Sequence, residues 1–175
     1  RYYSPDFAKM EWEKMWTRVW QIAGRVDQIP EPGDYVSYEI MHESIICIRG
    51  EDNRIRAFYN ACQHRGNQLV TAEAGTLASG EFQCAYHGWR FSDTGECTWA
   101  YDDDDFPQGT PCGKLKLSEI PCEIWAGFIW FNMDPKTKPL RDWLEPVASH
   151  LDTYQMEEMK RTHWVTIEGN WNWKC

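Results

Sequence analysis

The sequence predicts a mostly β fold class: a small antiparallel β domain with two metal-binding loops, preceded by an N-terminal amphipathic helix. Three observations predict it. From Trp20 to Asn132, short runs rich in β-branched and aromatic residues alternate with turn-forming clusters, and no helical period intervenes. Ahead of them, Ala8, Trp12, Met15, Trp16, Val19 and Trp20 recur at helical spacing. Within them, Cys62-Gln63-His64 and Cys84-Ala85-Tyr86-His87 each set one thiol and one imidazole between glycines and aromatic residues, where loop tips belong.

The elements follow in order. Ser4 caps the helix, Pro5 fits its first turn, and Asp6 lies against its positive end. Strands are expected over 20–23, 35–40, 44–49 and 55–60, parted by Pro30-Glu31-Pro32-Gly33 and Glu51-Asp52-Asn53. More follow over 82–83, 89–92 and 97–100, the last two joined by a hairpin turn at Asp93-Thr94-Gly95. A later pair, 117–119 and 123–132, is broken by Pro121 and Gly127. Many short strands without intervening helices argue for antiparallel pairing. The run Asp102 to Asp105 reads as a solvated loop. Residues 140–154 read as helical, with Trp143, Leu144, Val147 and Leu151 on one side and a kink or break at Pro146. Residues 164–167 read as one more strand.

Composition sets bounds. The chain has 175 residues, enough for one domain and the start of another, and is 42% hydrophobic with eleven Trp. No run approaches the ~18 apolar residues that a bilayer span needs. A net charge of −9 argues against nucleic acid and anionic membranes. Two of the seven cysteines are assigned to metal. Cys47, Cys97, Cys112, Cys122 and Cys175 then read as buried or surface thiols of a reducing compartment, so the expected location is cytoplasmic.

The two Cys/His arms carry the chemistry. Two thiolates and two imidazoles suit zinc or iron–sulfur binding. Zinc fingers pair Cys with Cys and His with His, whereas each arm here carries one of each. Two such arms give one iron two thiolates and a second iron two imidazoles, the Rieske arrangement of a [2Fe–2S] cluster. A Cys2His2 zinc site is the alternative. His42, His150 and His163 have no companion ligand nearby in sequence.

Cys62-x-His64-Arg65-Gly66 followed by Cys84-x-Tyr86-His87-Gly88-Trp89 resembles the Rieske domain of ring-hydroxylating, non-haem iron oxygenases, in their large (alpha) subunit. The gap between the arms is slightly longer than is common there, and extra residues in the 76–80 loop would absorb it. The segment Ala126-Gly127-Phe128-Ile129-Trp130-Phe131-Asn132-Met133-Asp134-Pro135 is similar to another family motif. Asn172-Trp173-Lys174 resembles the opening of the family's catalytic domain.

The resemblance implies that Cys62, His64, Cys84 and His87 are the cluster ligands. Arg65, Gly66, Tyr86, Gly88 and Trp89 surround them, and the glycines let backbone N–H groups approach the sulfides. It divides the chain into a lead-in over 1–28, the cluster domain over 29–135, and a linker with the start of a truncated catalytic domain over 136–175. It implies a mononuclear Fe(II) beyond this chain, and a reductase or ferredoxin as electron donor. A homotrimer with or without beta subunits is implied too, as are O2 and an organic, usually aromatic, substrate. A free-standing Rieske ferredoxin is the alternative function, against which the N-terminal helix and the residues after Pro135 argue.

Two neutral histidines in place of two thiolates remove two negative charges and raise the potential into a window of about −150 to +300 mV. Respiratory-type Rieske proteins add hydroxyl donors and a disulfide. Asn67, Tyr86, Trp89 and Phe91 stand at those places here, so the potential is expected near the low end.

Overall fold

The computed structural model describes residues 4–77, 79–160, 162, 163 and 165. The expected strand over 164–167, apart from Val165, and Asn172-Trp173-Lys174 lie outside the described residues.

Helix α1 runs Pro5–Lys14, and the Phe7 N–H donates to the Ser4 hydroxyl at its start. It is shorter than the periodicity suggests. A 3-10 turn over Trp16–Arg18 follows, and α1 itself buries no residue. Trp12 rests tilted on His42 with ring centroids 4.6 Å apart, and Trp20, past the helix, is buried.

Among the described residues eleven strands follow: β1 Gln21–Arg25, β2 Asp34–Ile40, β3 Glu43–Arg49, β4 Ile55–Tyr59, β5 Ala74–Thr76, β6 Glu81–Gln83, β7 Arg90–Ser92, β8 Cys97–Trp99, β9 Glu119–Ile120, β10 Cys122–Trp125 and β11 Phe128–Phe131. They form three antiparallel sheets, ordered β5-β2-β3-β4-β9, β1-β11-β10 and β6-β7-β8. β1 lies in the lead-in segment, yet it pairs with β11 near the far end of the expected cluster domain.

The five-stranded sheet is the middle layer. Side chains alternate across a strand, and here both faces are covered. Ile45, Cys47, Val36 and Ala57 face a core shared with Ile129 and Phe131. Ile46, Ile48, Tyr35 and Phe58 face a second core with Phe82, Trp89 and Phe91. This is why β3 reads Ile-Ile-Cys-Ile without a polar break: a strand covered on both sides loses its alternation. Each fully buried isoleucine there contributes roughly 1.5–3 kcal/mol.

Two turns position the rest. The β10–β11 hairpin closes over Ala126 and Gly127, both at positive φ (55° and 76°), as a tight two-residue connection demands. Gly95, at φ 81°, closes the β7–β8 hairpin against Phe58, and a Cβ there would sit 2.7 Å from the Phe58 ring.

Beyond β11 the chain forms α2, Leu140–Leu144, and α3, Val147–Leu151. They are separated at Pro146, as expected, but the face differs. Leu140 and Ala148 are buried, while Trp143 and Val147 are exposed. Leu140, Leu144 and Ala148 follow an i, i+4, i+8 spacing, so the buried stripe runs through both helices and lies to one side of the expected face. Arg141 bridges them through bonds to Glu145 (2.8 Å), Ser149 (3.1 Å) and Asp152 (2.7 Å).

Candidate metal centre

Both arms are built by one device. In arm 1 the Gly66 N–H donates to the Cys62 carbonyl (2.8 Å), and the Cys62 N–H donates to the Asn67 carbonyl (2.9 Å). In arm 2 the Gly88 N–H donates to the Cys84 carbonyl (2.9 Å), and the Cys84 N–H donates to the Trp89 carbonyl (2.8 Å). Each glycine has a left-handed backbone, at φ 72° and 73°, which any side chain would strain. The shared signal is Cys-x-x-x-Gly, present in both arms although their histidines sit at different offsets. The glycines' own N–H groups close these turns.

The amides that do face sulfur are others. The backbone N–H groups of His64 and Arg65 are aimed at the Cys62 thiol, and the Asn67 side-chain amide donates to the Cys84 sulfur at 3.9 Å. Burial pushes the Cys62 thiol above its ordinary value, with the neighbouring Cys84 adding, while those two backbone amides oppose the shift. Cys62 and Cys84 are both buried and their thiols are in contact.

The imidazoles form a second pair. His64 and His87 lie edge to face with centroids 4.6 Å apart, both half-buried. Trp89 stacks flat on His64 at 4.8 Å and 4°, so a ring from arm 2 clamps the imidazole of arm 1. Exposed Tyr86 leans on His87 at 3.9 Å. Burial, and then the charges of His87 and Arg65, hold the His64 imidazole below its ordinary pKa. His64 Nδ1 is buried without a hydrogen-bond partner. An orphaned ring nitrogen is costly unless something else satisfies it.

Arm 1 has a clasp that the sequence reading missed. Asn60 is buried at the end of β4, just before the arm. Its Nδ2 donates to the Ser44 hydroxyl (2.9 Å) and the Val70 carbonyl (2.7 Å). Its Oδ1 accepts from the N–H groups of Leu69 (2.8 Å) and Val70 (3.1 Å), just after the arm. The segment 97–112 covers arm 2: Phe106 meets Trp89 edge-on at 5.7 Å, and the Trp99 ring leaves a Cβ at Gly88 only 3.3 Å of room. Of the remaining expected residues, Arg65 is exposed and makes no side-chain contact that bears on the pair of arms beyond its charge. His42, His150 and His163 lie in other parts of the sequence and are exposed.

The family model for the Rieske [2Fe–2S] domain matches residues 19–112. The chain belongs to the Rieske [2Fe–2S] domain family. This Rieske chain is 30% identical to the carnitine monooxygenase oxygenase subunit of Escherichia coli K12, over 99% of its own length and 46% of that protein. It is 34% identical to the large oxygenase component of the naphthalene 1,2-dioxygenase system of Pseudomonas putida, over 92% and 37%. Among solved structures, naphthalene 1,2-dioxygenase with indole bound superposes with TM-score 0.76 at 35% identity, covering 86% of this chain and 34% of that one. A quaternary ammonium Rieske monooxygenase gives TM-score 0.79 at 29% identity, covering 87% and 42%. The chain therefore spans less than half the length of these relatives.

The donor set fits the family's cluster. That cluster needs two sulfur donors on one iron and two nitrogen donors on the other. The arms offer a contacting thiol pair, an adjacent imidazole pair, and in His64 a buried ring nitrogen that lacks a partner. Among the described residues no three of His, Cys, Asp and Glu gather into one site for a single ion. No described helix is long and apolar enough to cross a membrane.

Proposed function

We infer that the chain is the electron-transfer part of a Rieske non-haem iron oxygenase large subunit, with Cys62 and Cys84 on one iron and His64 and His87 on the other. The observation that carries this is the sorting of the two arms into a thiol pair and an imidazole pair, one of whose nitrogens is buried and unpartnered. The likeness to oxygenase large components along nearly the whole chain supports the same reading over a free-standing carrier. When bound, a [2Fe–2S] cluster supplies one-electron storage.

The chain's own residues do the rest. The His64 and Arg65 amides and the Asn67 side chain donate to the sulfurs, which favours the more negative, reduced state. Trp89 and Phe106 exclude water from the His64 side, and Tyr86 flanks His87 at the surface, where electrons enter or leave. In the whole protein a reductase or ferredoxin delivers electrons. A mononuclear Fe(II) on a following domain uses them with O2 on an organic substrate, and the subunits assemble as a trimer with or without beta subunits. The chain divides into a lead-in over 1–28, a cluster domain over 29–135, and a linker leading into a catalytic domain.

Iron, acid-labile sulfide and zinc, measured per chain in the protein from its natural source, test this. About three irons to two sulfides are expected. About two irons to two sulfides, unchanged by added Fe(II), would mean a ferredoxin. Zinc without sulfide would overturn the ligand assignment.

A further inference from the structure

Outside the candidate centre the described cysteines are not scattered. Cys112 packs against the core that holds Cys97, and Cys122 against the core that holds Cys47, each pair near enough for the thiols to interact. The first pair stands at the neck of the segment that covers arm 2. Cys97 opens β8 and is buried, and Cys112 is half-buried against the same core. Their surroundings are fixed by backbone bonds. The Cys97 N–H donates to the Leu115 carbonyl (2.9 Å), and the Gly113 N–H donates to the Cys97 carbonyl (3.0 Å). The Cys112 N–H donates to the Thr110 hydroxyl (3.2 Å), which itself donates to Asp103 (2.7 Å). Both thiols are free. An S–S bond of ~2.0 Å requires Cα atoms roughly 4.4–6.8 Å apart, a closeness that the Gly113-to-Cys97 backbone bond favours.

We propose that Cys97 and Cys112 form a reversible dithiol–disulfide pair, oxidised by hydrogen peroxide, that fastens the neck of segment 98–111 over arm 2. Half-buried Cys112 is the sulfur a small oxidant reaches. Its thiolate attacks one peroxide oxygen, the O–O bond breaks, and hydroxide takes up the thiol proton and leaves as water, giving a sulfenic acid. The Cys97 sulfur then attacks the Cys112 sulfur, the S–O bond breaks, and a second water leaves with the Cys97 proton. Two thiols lose two electrons and two protons, and one peroxide becomes two waters. A dithiol reductant reverses the bond by exchange.

The other pair is less suited. Cys47 is fully buried in the middle layer and Cys122 belongs to a neighbouring sheet, so closing that bond draws on two sheets rather than on one loop. The consequence of fastening Cys97 to Cys112 is local. The segment between them carries Trp99 and Phe106, the two rings that pack on Gly88 and Trp89. Closing its neck restricts how far those rings move away from arm 2.

The test uses the protein as purified, with its visible spectrum recorded before and after brief hydrogen peroxide treatment. Free thiols are then alkylated and the peptides mapped without reduction. The expected result is a linked peptide pair carrying Cys97 and Cys112, lighter by two hydrogens, with loss of alkylation at both positions and recovery after dithiothreitol. Deuterium uptake by peptides within 98–111 is expected to slow while the visible spectrum is kept. Cys112→Ser is expected to leave Cys97 an unlinked, alkylatable thiol. Three results would overturn the proposal: both cysteines still alkylated, Cys112 driven to the sulfinic acid without a link, or Cys97 linked to Cys62, which shares its core. A link with unchanged deuterium uptake would overturn the fastening role.

Discussion

Replacing Asn60 by alanine is expected to release arm 1 from its base. The side chain makes four hydrogen bonds, two donated and two accepted, and is 3% exposed. Each is worth about 0.5–1.5 kcal/mol net, so the set amounts to roughly 2–6 kcal/mol. Water entering the vacated space recovers part of it, which leaves about 3 kcal/mol. At 1.4 kcal/mol per factor of ten, the amides of Leu69 and Val70 are expected to exchange with solvent about 100-fold faster. Hydrogen exchange followed by mass spectrometry on peptides covering 61–72 reads this directly, and bleaching of the visible colour on warming is expected to begin earlier. Asn60→Asp keeps both accepted bonds, loses both donors and buries a charge, so it is expected to fare no better. If exchange in Asn60→Ala rises by less than about threefold, packing of Leu69 and Val70 holds the arm and the clasp argument is wrong.

Other perturbations follow from the same structure. Gly66→Ala meets no neighbour and costs only the left-handed backbone, about 1–2 kcal/mol, whereas Gly88→Ala adds pressure on Trp99 and Gly95→Ala drives a Cβ into Phe58. Thermal midpoints are expected to fall in that order, and an equal drop in all three would refute the crowding argument. Substituting Cys62, His64, Cys84 or His87 by alanine is expected to abolish the visible spectrum, while His42→Ala, His150→Ala and His163→Ala keep it; colour lost in any of the latter would break the ligand assignment. Asp52 is held below the usual carboxylate range, first by the Arg56 hydrogen bond. A depressed folded value means its stabilising contribution is full above the ordinary pKa of about 3.9 and disappears as pH falls through the lowered value. Arg56→Gln removes the depression and with it this contribution, so the variant is expected to melt lower than the parent near pH 6 and the gap to narrow as pH falls toward about 3; superimposable curves would show that the pair is energetically silent.

The sequence made some of this legible for definite reasons. The Ile-Ile-Cys-Ile run of β3 announced a strand buried on both faces, and the paired Cys/His arms announced two metal ions rather than one. β5 escaped notice because Ala74-Gly75-Thr76 carries almost no strand propensity. It exists because the edge of β2 pairs with it, and Gly75 leaves room for the Tyr35 hydroxyl where a Cβ would stand 2.8 Å away. The face of α2 and α3 was half read: Leu144 and Leu151 are partly buried, but the stripe takes in Leu140 and Ala148 in place of Trp143 and Val147. The sequence did not announce which amides turn to sulfur: the glycine N–H groups close the local turns, and the Cys62 thiol receives the neighbouring amides of His64 and Arg65. The clasp of Asn60 joins residues on either side of arm 1, and no spacing rule announces a lone asparagine in that role.

The pairing of β1 with β11 has a consequence for how the molecule is made. Gln21 leaves the ribosome early, but its partner Phe131 follows only after β2 to β10 have emerged. At ~5–20 residues per second that wait lasts roughly 5–20 s. During it, the middle sheet and both arms can assemble while Ile129 and Phe131, which cover one face of that sheet, are still missing. The nascent chain thus carries a solitary β1 for the whole interval and, once β2 to β4 have emerged, an uncovered apolar face as well, the state in which a trigger-type chaperone has most to bind.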